Sequence, residues 1–184
     1  MFAHIDDINT LMKNILRILK NDGIFITESH YFLSLIETLQ YDTIYHEHLR
    51  YYTLTSLNKI FQKYKLKIIY AKKIKTHGGS IRVYATREKK RTANKNVSSL
   101  LKIEEKKINS KNIQKFKDGV VRSKIELISL IKQINKKNKT IFGVGAPSRA
   151  STLVNYVGLD NNIIKYICEI KGSPKIGHYL PGTK

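Results

Sequence analysis

The C-terminal part of the chain constrains the fold most, because it combines a strand, a glycine turn, a helix and a second strand. Residues 140–147 are an apolar run that ends in a glycine turn, residues 148–157 have helical spacing, and residues 163–170 are again apolar. A strand, a helix and a strand in this order form a βαβ unit, whose strands are parallel. The pattern predicts an α/β fold.

The N-terminal part also combines helical and strand patterns. Residues 7–20 carry apolar side chains at helical spacing, and Asn9 or Asp7 can cap that helix. The short apolar run 24–27 predicts a buried strand. Residues 28–53 are polar and aromatic, and their pattern is too irregular to assign throughout.

A third helix and an antiparallel strand pair complete this part. The spacing predicts a helix over 54–64, capped by Thr53 or Thr55. Residues 66–74 and 80–86 alternate apolar and polar side chains, as adjacent antiparallel strands do. The intervening sequence THGGS is, taken alone, most simply a hairpin turn.

Basic residues dominate the middle of the chain. The protein has 34 Lys and Arg against 14 Asp and Glu, a net charge of +20, and residues 87–139 hold 17 basic and five acidic residues. Such a charge suits nucleic acid or phosphorylated ligands as partners. However, Lys far outnumbers Arg, which is the side chain that forks onto bases and phosphates. We therefore predict one or two helices with a solvated Lys-rich face, and nucleic-acid binding is the lesser hypothesis.

The composition excludes several classes of protein. The single cysteine, Cys168, excludes an internal disulfide framework and a cysteine-cluster zinc site built from this chain alone. No apolar run approaches the ~18–20 residues that span a bilayer. The N-terminus, MFAHIDDIN, lacks the basic and apolar regions of a signal peptide. The expected compartment is a reducing cytoplasm.

The sequence Tyr45-His46-Glu47-His48 is the densest group of titratable side chains. A zinc site would need a third ligand, and the helical zinc motif spaces its histidines at i and i+4, whereas these lie at i and i+2. General acid–base catalysis needs a group with a pKa near the operating pH, which histidine supplies. The alternative is a polar loop with capping roles.

A second candidate site is the glycine turn between the predicted strand and helix. Gly143 and Gly145 would let the backbone approach a phosphate at the positive end of the helix, although Ser148 replaces the third glycine of the dinucleotide motif. Glu169 follows the next strand, where an acid can accept ribose hydroxyls. Arg149 and Lys175 would suit a diphosphate. Any βα turn that requires a positive φ would show the same glycines.

Taken together, four segments resemble the S-adenosylmethionine-dependent C-methyltransferases of nucleotide-linked keto-sugars. The segments occur in the family's order and cover nearly the whole chain; they are QYDTIYHEHLRYYTLTSL (40–57), THGGSIRVY (76–84), GVGAPSRASTLVNY (143–156) and KGSPKIGHYLPGT (171–183). Those enzymes act in deoxysugar and surface-polysaccharide synthesis. The resemblance implies a nucleotide-diphosphate sugar as substrate.

The resemblance also implies a domain organisation. Residues 1–87 are similar to the second half of a class I methyltransferase sheet, 88–138 would be a helical connector, and 139–184 are similar to the start of a Rossmann-like sugar-nucleotide domain. The family's zinc-binding cysteines and its glycine-rich cofactor loop have no counterpart, so we expect a fragment that is inactive alone. A cofactor-binding half would be encoded upstream or separately. Arg50 occupies a position where the family leads us to expect a small polar residue.

The resemblance assigns roles residue by residue. His48 or Tyr45 would be the base, with Glu47 as an orienting or proton-handling partner and His4 at the enolate. We favour His48, because an ordinary imidazole has a pKa of about 6.5, whereas a tyrosinate would need a large shift. The implied substrate-binding residues are His77, Gly78, Gly79, Ser80, Arg82, Gly143, Gly145, Ala146, Pro147, Ser148, Arg149, Thr152, Asn155, Glu169 and Lys175.

Two other functions stay open from the sequence. The chain could bind nucleotide-sugar without catalysis, which calorimetry with S-adenosylmethionine would separate from an enzyme. A basic nucleic-acid-binding protein would instead show a steep salt dependence of its affinity.

Overall fold

The computed structural model describes residues 2–183 and divides the chain into two compact units. The first unit comprises Met1–Gln40 and His46–Gln114, and the second comprises Tyr41–Tyr45 and Lys115–Lys184. The boundary after Gln114 lies within the region predicted as a helical connector, whereas Tyr41–Tyr45 of the second unit lies inside the predicted methyltransferase part, 1–87. Both units combine helices with strands, so the α/β fold class is confirmed.

The first unit contains most of the regular structure. Its elements are α1 (Ile8–Ile18), β1 (Ile24–His30), α2 (Phe32–Glu37), α3 (Leu54–Lys63), β2 (Lys67–Ile74), β3 (Ser80–Thr86), α4 (Lys95–Lys107) and the start of α5 (Ser110–Lys136). Short 3-10 turns lie at Phe2–His4 and Thr76–Gly78.

The three strands form one antiparallel sheet in the order β1-β3-β2. Strand β3 is central, and its residue Ser80 pairs with His30 of β1 and Ile74 of β2. The predicted antiparallel pair over 66–74 and 80–86 is thereby confirmed.

The strand predicted at 24–27 is confirmed, but the prediction that it is buried is wrong. Strand β1 extends to His30, and it lies at the edge of the sheet, where Ile24 and Ile26 are 40% and 53% exposed. One face of β1 packs on the core of the unit and the other face is exposed, so an apolar run need not mean a fully buried strand. Within residues 2–183, no strand pairs with the outer edge of β1.

One apolar core holds the first unit together. Phe2, Met12, Leu57, Phe61 and Val83 are almost completely buried in it. The ring of Phe2 packs against Phe25, Tyr52 and Phe61 at centroid distances of 5.2–6.3 Å. Aromatic contacts of this kind fix the 3-10 turn that carries His4.

Side chains at the helix starts explain two boundaries. Asp7 caps α1 by accepting hydrogen bonds from the N–H groups of Asn9 and Thr10, so Asp7 and not Asn9 is the cap. Thr53, one of the two predicted candidates, caps α3 in a reciprocal capping box with Ser56.

The second unit is a small βαβ arrangement. Strands β4 (Ile141–Val144) and β5 (Ile164–Cys168) are parallel, and α6 (Ala150–Val157) connects them, as the sequence predicts. A 3-10 turn at Tyr41–Thr43 also belongs here. Its core is formed by Ile131 of α5 with Val154, Val157 and Leu159.

Candidate active site

Four histidines from separate stretches of the first unit lie side by side. The His48 ring is 5.1 Å from that of His4 and 4.7 Å from that of His30, between centroids. His77 extends the row, with its ring 6.1 Å from His30, and Tyr51 lies edge-on to His48 at 6.1 Å. The structure thus brings together His4, His48 and His77, which the sequence analysis singled out, and adds His30. We call His4, His30, His48 and His77 the histidine cluster.

Backbone contacts place His4 beside His48. The N–H of Leu49 donates to the carbonyl of Ala3 at 3.1 Å, which joins the residues next to each histidine. Ala3 and Phe2 are buried in the core, and the Tyr52 hydroxyl lies 3.4 Å from the Phe2 carbonyl oxygen. His4 itself is exposed and His48 is half-buried, so the cluster can meet a ligand.

The sheet places His30 and His77. His30 is the last residue of β1, and the next N–H, that of Tyr31, donates to the Gly79 carbonyl at 3.1 Å. His77 follows β2 with a φ of 51°, a left-handed conformation that is uncommon for a non-glycine residue. A strained backbone conformation that the surrounding structure holds in place is typical of ligand-binding sites.

The glycine turn next to His77 is fixed by close packing. Gly79 has a φ of 125°, and a Cβ there would lie 2.6 Å from the Cβ of Ser34. Gly78 has a φ of 79°, and a Cβ there would displace the amide group of Gln40, whose nitrogen donates to the Gly78 carbonyl at 2.7 Å. Ser80 is buried, so both glycines and this serine have structural roles whatever else they do.

Arg82 is engaged in an ion pair on the sheet. Its guanidinium lies 2.6 Å from the Glu28 carboxylate, which also accepts from the Thr76 hydroxyl. The Arg82 contact holds the pKa of Glu28 below its ordinary value. Any substrate contact of Arg82 would therefore share the guanidinium with Glu28.

Glu47 and Tyr45, the other predicted catalytic residues near His48, lie in different environments. Glu47 is exposed, and Tyr45 is half-buried. Tyr45 is the last residue of the second unit's segment Tyr41–Tyr45, directly before the first unit resumes at His46. The roles predicted for Tyr45 and Glu47 stay predictions.

In the second unit, the predicted nucleotide turn joins the end of β4 to α6. Gly145 has a φ of 76° and open space where a Cβ would lie, whereas Gly143 packs closely on Ile167. The N–H of Ala146 donates to the Glu169 carboxylate at 2.5 Å, and the Lys175 ammonium donates to the Ala146 carbonyl at 2.6 Å.

These contacts set the charge of Glu169. The Ala146 hydrogen bond, with a smaller effect of the Lys175 charge, holds the pKa of Glu169 below its ordinary value. A carboxylate already occupies the Ala146 N–H, so a phosphate would meet repulsion at that point of the turn. A ribose hydroxyl, which can donate to a carboxylate, fits this position better.

The other predicted residues of the second unit lie on or next to α6. Arg149 precedes the helix and pairs with Asp42 at 3.4 Å, and the Thr152 hydroxyl donates to the Ile44 carbonyl at 2.9 Å. The Asn155 amide donates to the carbonyl of Pro181 at 2.7 Å. The carbonyls of Pro147 and Ser148 accept hydrogen bonds from the first helical turn.

His30 is the member of the cluster that the sequence analysis missed. It lies in the stretch 28–53, whose pattern is irregular, and nothing local marks it. One signal was available: extending the apolar run 24–27 as a strand places His30 at that strand's carboxyl end. Functional side chains often occur there in α/β folds.

Comparison with known proteins assigns both parts of the chain to methyltransferase families. Residues 75–184 match a family described as a C-methyltransferase C-terminal domain, and residues 1–71 match a methyltransferase domain. The chain belongs to the C-methyltransferase family. It is 31% identical to the C-methyltransferase NovU of Streptomyces niveus over all of its own length, and it spans 44% of that relative.

The match to a methyltransferase domain implies S-adenosylmethionine as the methyl donor. In the first unit the glycine pair 78–79 packs against Gln40 and Ser34. Among residues 2–183, no three His, Cys, Asp or Glu side chains are placed to hold one ion. No helix in the same range is long and apolar enough to cross a membrane.

Proposed function

We propose that this chain serves the C-methylation of a nucleotide-linked keto-sugar, and that its histidine cluster activates the sugar carbon. The observation that supports this proposal is the contact of His48 with both His4 and His30, at 5.1 and 4.7 Å. Imidazoles at this distance can take a proton and donate a hydrogen bond within one site.

The reaction class dictates what the site must supply. A sugar carbon becomes a nucleophile when a proton is removed next to a ketone, and the electron pair moves onto the ketone oxygen as an enolate. The site must accept that proton and stabilise the developing negative charge. S-adenosylmethionine, once bound, would supply a methyl group on a positively charged sulfur.

Within the cluster, His48 is the proposed base. It is central in the row, half-buried, and flanked by the two rings that could donate to the enolate oxygen. His4 is exposed and held from its backbone, which suits a donor to the substrate. Tyr45 is the alternative base, and Glu47 would orient the base or relay its proton.

For the second unit we propose nucleotide binding at the turn between β4 and α6. Glu169 would accept hydroxyls of the ribose, since its carboxylate is held ionised beside Ala146 and Lys175. Arg149 and Lys175 would contribute positive charge toward a diphosphate that lies outside the Ala146 N–H, and they would share that charge with Asp42 and Glu169.

The open edge of the sheet supports a proposal about a partner. The outer edge of β1 presents backbone groups that a further strand could pair with. We therefore propose a cofactor-binding half on the N-terminal side, in the same polypeptide or encoded separately. The exposed free thiol of Cys168 is consistent with the reducing cytoplasm that the sequence suggests.

Methylation assays on protein that includes the cofactor-binding half test the proposal. His48→Ala should lower turnover by about 10²–10⁴, the usual contribution of a positioned acid–base group, with little change in S-adenosylmethionine affinity. Tyr45→Phe is the matched comparison. A loss confined to Tyr45→Phe would make Tyr45 the base, and full activity in both variants would contradict the assignment. Binding of nucleotide-sugar without turnover would indicate a binding module.

A further inference from the structure

Arg50, two residues after His48, makes two hydrogen bonds to the backbone that follows the 3-10 turn Phe2–His4. Its Nη2 donates to the carbonyl of Asp6 at 2.7 Å, and its Nη1 donates to the carbonyl of Ile5. The side chain is partly buried along this path. A guanidinium presents its donors in a rigid planar fork, which suits two successive carbonyls.

These two carbonyls lie outside both neighbouring helical elements. The 3-10 turn ends at His4, and α1 begins after its cap, Asp7, whose carbonyl accepts the helical bond from Leu11. Ile5 and Asp6 form the link between these elements, so no helical ladder fixes their backbone. The Arg50 fork fixes it instead.

Residues 49 and 50 make hydrogen bonds to the backbone on both sides of His4. Leu49 holds the carbonyl of Ala3, one residue before His4, and Arg50 holds those of Ile5 and Asp6 after it. Both residues directly follow His48 in the chain. The two histidines therefore share a backbone frame, in which their rings lie 5.1 Å apart.

We propose that Arg50 is a positioning residue that holds His4 against His48. The inference rests on the proposed function for its catalytic consequence, but the positioning itself is a property of the chain alone. In this role Arg50 acts through the backbone next to His4 and not on the substrate. Loss of the two guanidinium hydrogen bonds should make the backbone at Ile5 and Asp6 more mobile. The His4 ring should then move away from His48.

The test uses the 184-residue chain with isotopically labelled histidine. In the wild type, the His4 and His48 ring protons should show a nuclear Overhauser contact, and Arg50→Ser should lose it while backbone spectra show the rest of the fold intact. Arg50→Lys keeps the charge but not the fork, so it should retain only part of the contact. Arg91→Ser is the control, because Arg91 pairs with Glu88 on the surface, away from the cluster.

A catalytic readout accompanies the structural one. Exchange of the proton next to the ketone of a nucleotide-linked keto-sugar should fall about 10- to 100-fold in Arg50→Ser, as expected when a catalytic group is misplaced. In a His4→Ala background, Arg50→Ser should cause no further loss, because its effect runs through His4.

The outcomes separate the two hypotheses. A ring contact that survives Arg50→Ser, or an additive loss in the double variant, would overturn the positioning role. If Arg50→Ser does not fold, the ring contact in Arg50→Lys decides, and an undiminished contact there overturns the proposal. Absence of exchange in the wild type would contradict the proposed function, while the ring contact would still decide the role of Arg50.

Discussion

At the scale of single residues, Gly79 is the position where backbone conformation and close packing coincide. Its φ of 125° disfavours any side chain, and a Cβ would meet Ser34 at 2.6 Å. Gly79→Ala should therefore destabilise the protein by about 2–4 kcal/mol, from strain and overpacking together. Urea unfolding followed by circular dichroism measures this change.

Two matched variants separate the causes. Gly172→Ala has a positive φ of 84° but open space, so it should cost only about 1 kcal/mol from backbone conformation. Ser34→Gly should recover part of the stability lost in Gly79→Ala. No recovery would mean that packing against Ser34 contributes nothing.

Glu169 should make part of the stability depend on pH. Its pKa is lowered from 4.5, chiefly by the Ala146 N–H, so the ionised form stabilises the folded state. That stabilisation is present above the ordinary pKa and is lost as the pH falls through the lowered one. Glu169→Gln should therefore be less stable than the wild type at about pH 7, and the difference should shrink toward about pH 3.

Unfolding of both proteins across this range gives the comparison. Glu126→Gln, an exposed carboxylate on α5, is the control and should leave the pH dependence close to that of the wild type. A constant difference between Glu169→Gln and the wild type at every pH would mean that the charge of Glu169 is irrelevant.

At the scale of elements, Glu104 joins α4 to the start of α3. Its buried carboxylate accepts from the N–H groups of Leu54 and Thr55, at 2.5 and 2.8 Å, and from the Thr55 hydroxyl. A carboxylate is stabilised at a helix N-terminus, where backbone N–H groups have no helical partner. Glu104 therefore fixes helix α4 against the N-terminal end of α3.

Glu104→Ala should lower the free energy of unfolding by about 2–4 kcal/mol, because it leaves buried donors without an acceptor. Glu104→Gln should cost less, since its amide oxygen still accepts. The exposed neighbour Glu105 gives the matched control, and Glu105→Ala should change stability by less than about 0.5 kcal/mol. Equal effects at the two positions would contradict the docking role of Glu104.

The elements that the sequence predicts well are those with local causes. Alternation along 66–74 and 80–86 encodes their pairing, and the strand, glycine turn and helix after Lys139 encode the βαβ unit. The exposed face of β1 and the buried Glu104 were not predictable, because each depends on contacts between distant segments. The Lys-rich sequence predicts a solvated helix face. The burial of Glu104 on α4 is seen only in the structure.

The same distinction holds for the candidate site. His48 was found because neighbouring residues in the sequence are also polar and titratable, whereas His4 and His77 entered through resemblance. His30 was found only in the structure, because strand β1 ends beside a turn that follows it by almost 50 residues.

At the scale of the whole molecule, carbon activation and methyl donation have different requirements. The histidine cluster lies entirely within residues that the structure describes. The glycine-rich loop for the methyl donor, which the resemblance leads us to expect, is expected outside this chain. We therefore expect the chain alone to give no methylated product from S-adenosylmethionine and a keto-sugar. Removal of the proton next to the ketone requires no methyl donor.

Deuterium incorporation into the sugar measures the proposed proton removal by His48. A nucleotide-linked keto-sugar is incubated with the 184-residue chain in heavy water, without a methyl donor, and the sugar is followed by proton NMR. We expect one position next to the ketone to exchange faster than in buffer, and we expect His48→Ala to abolish this acceleration. Exchange at the buffer rate with the wild-type chain, or an unchanged rate in His48→Ala, would contradict the proposal.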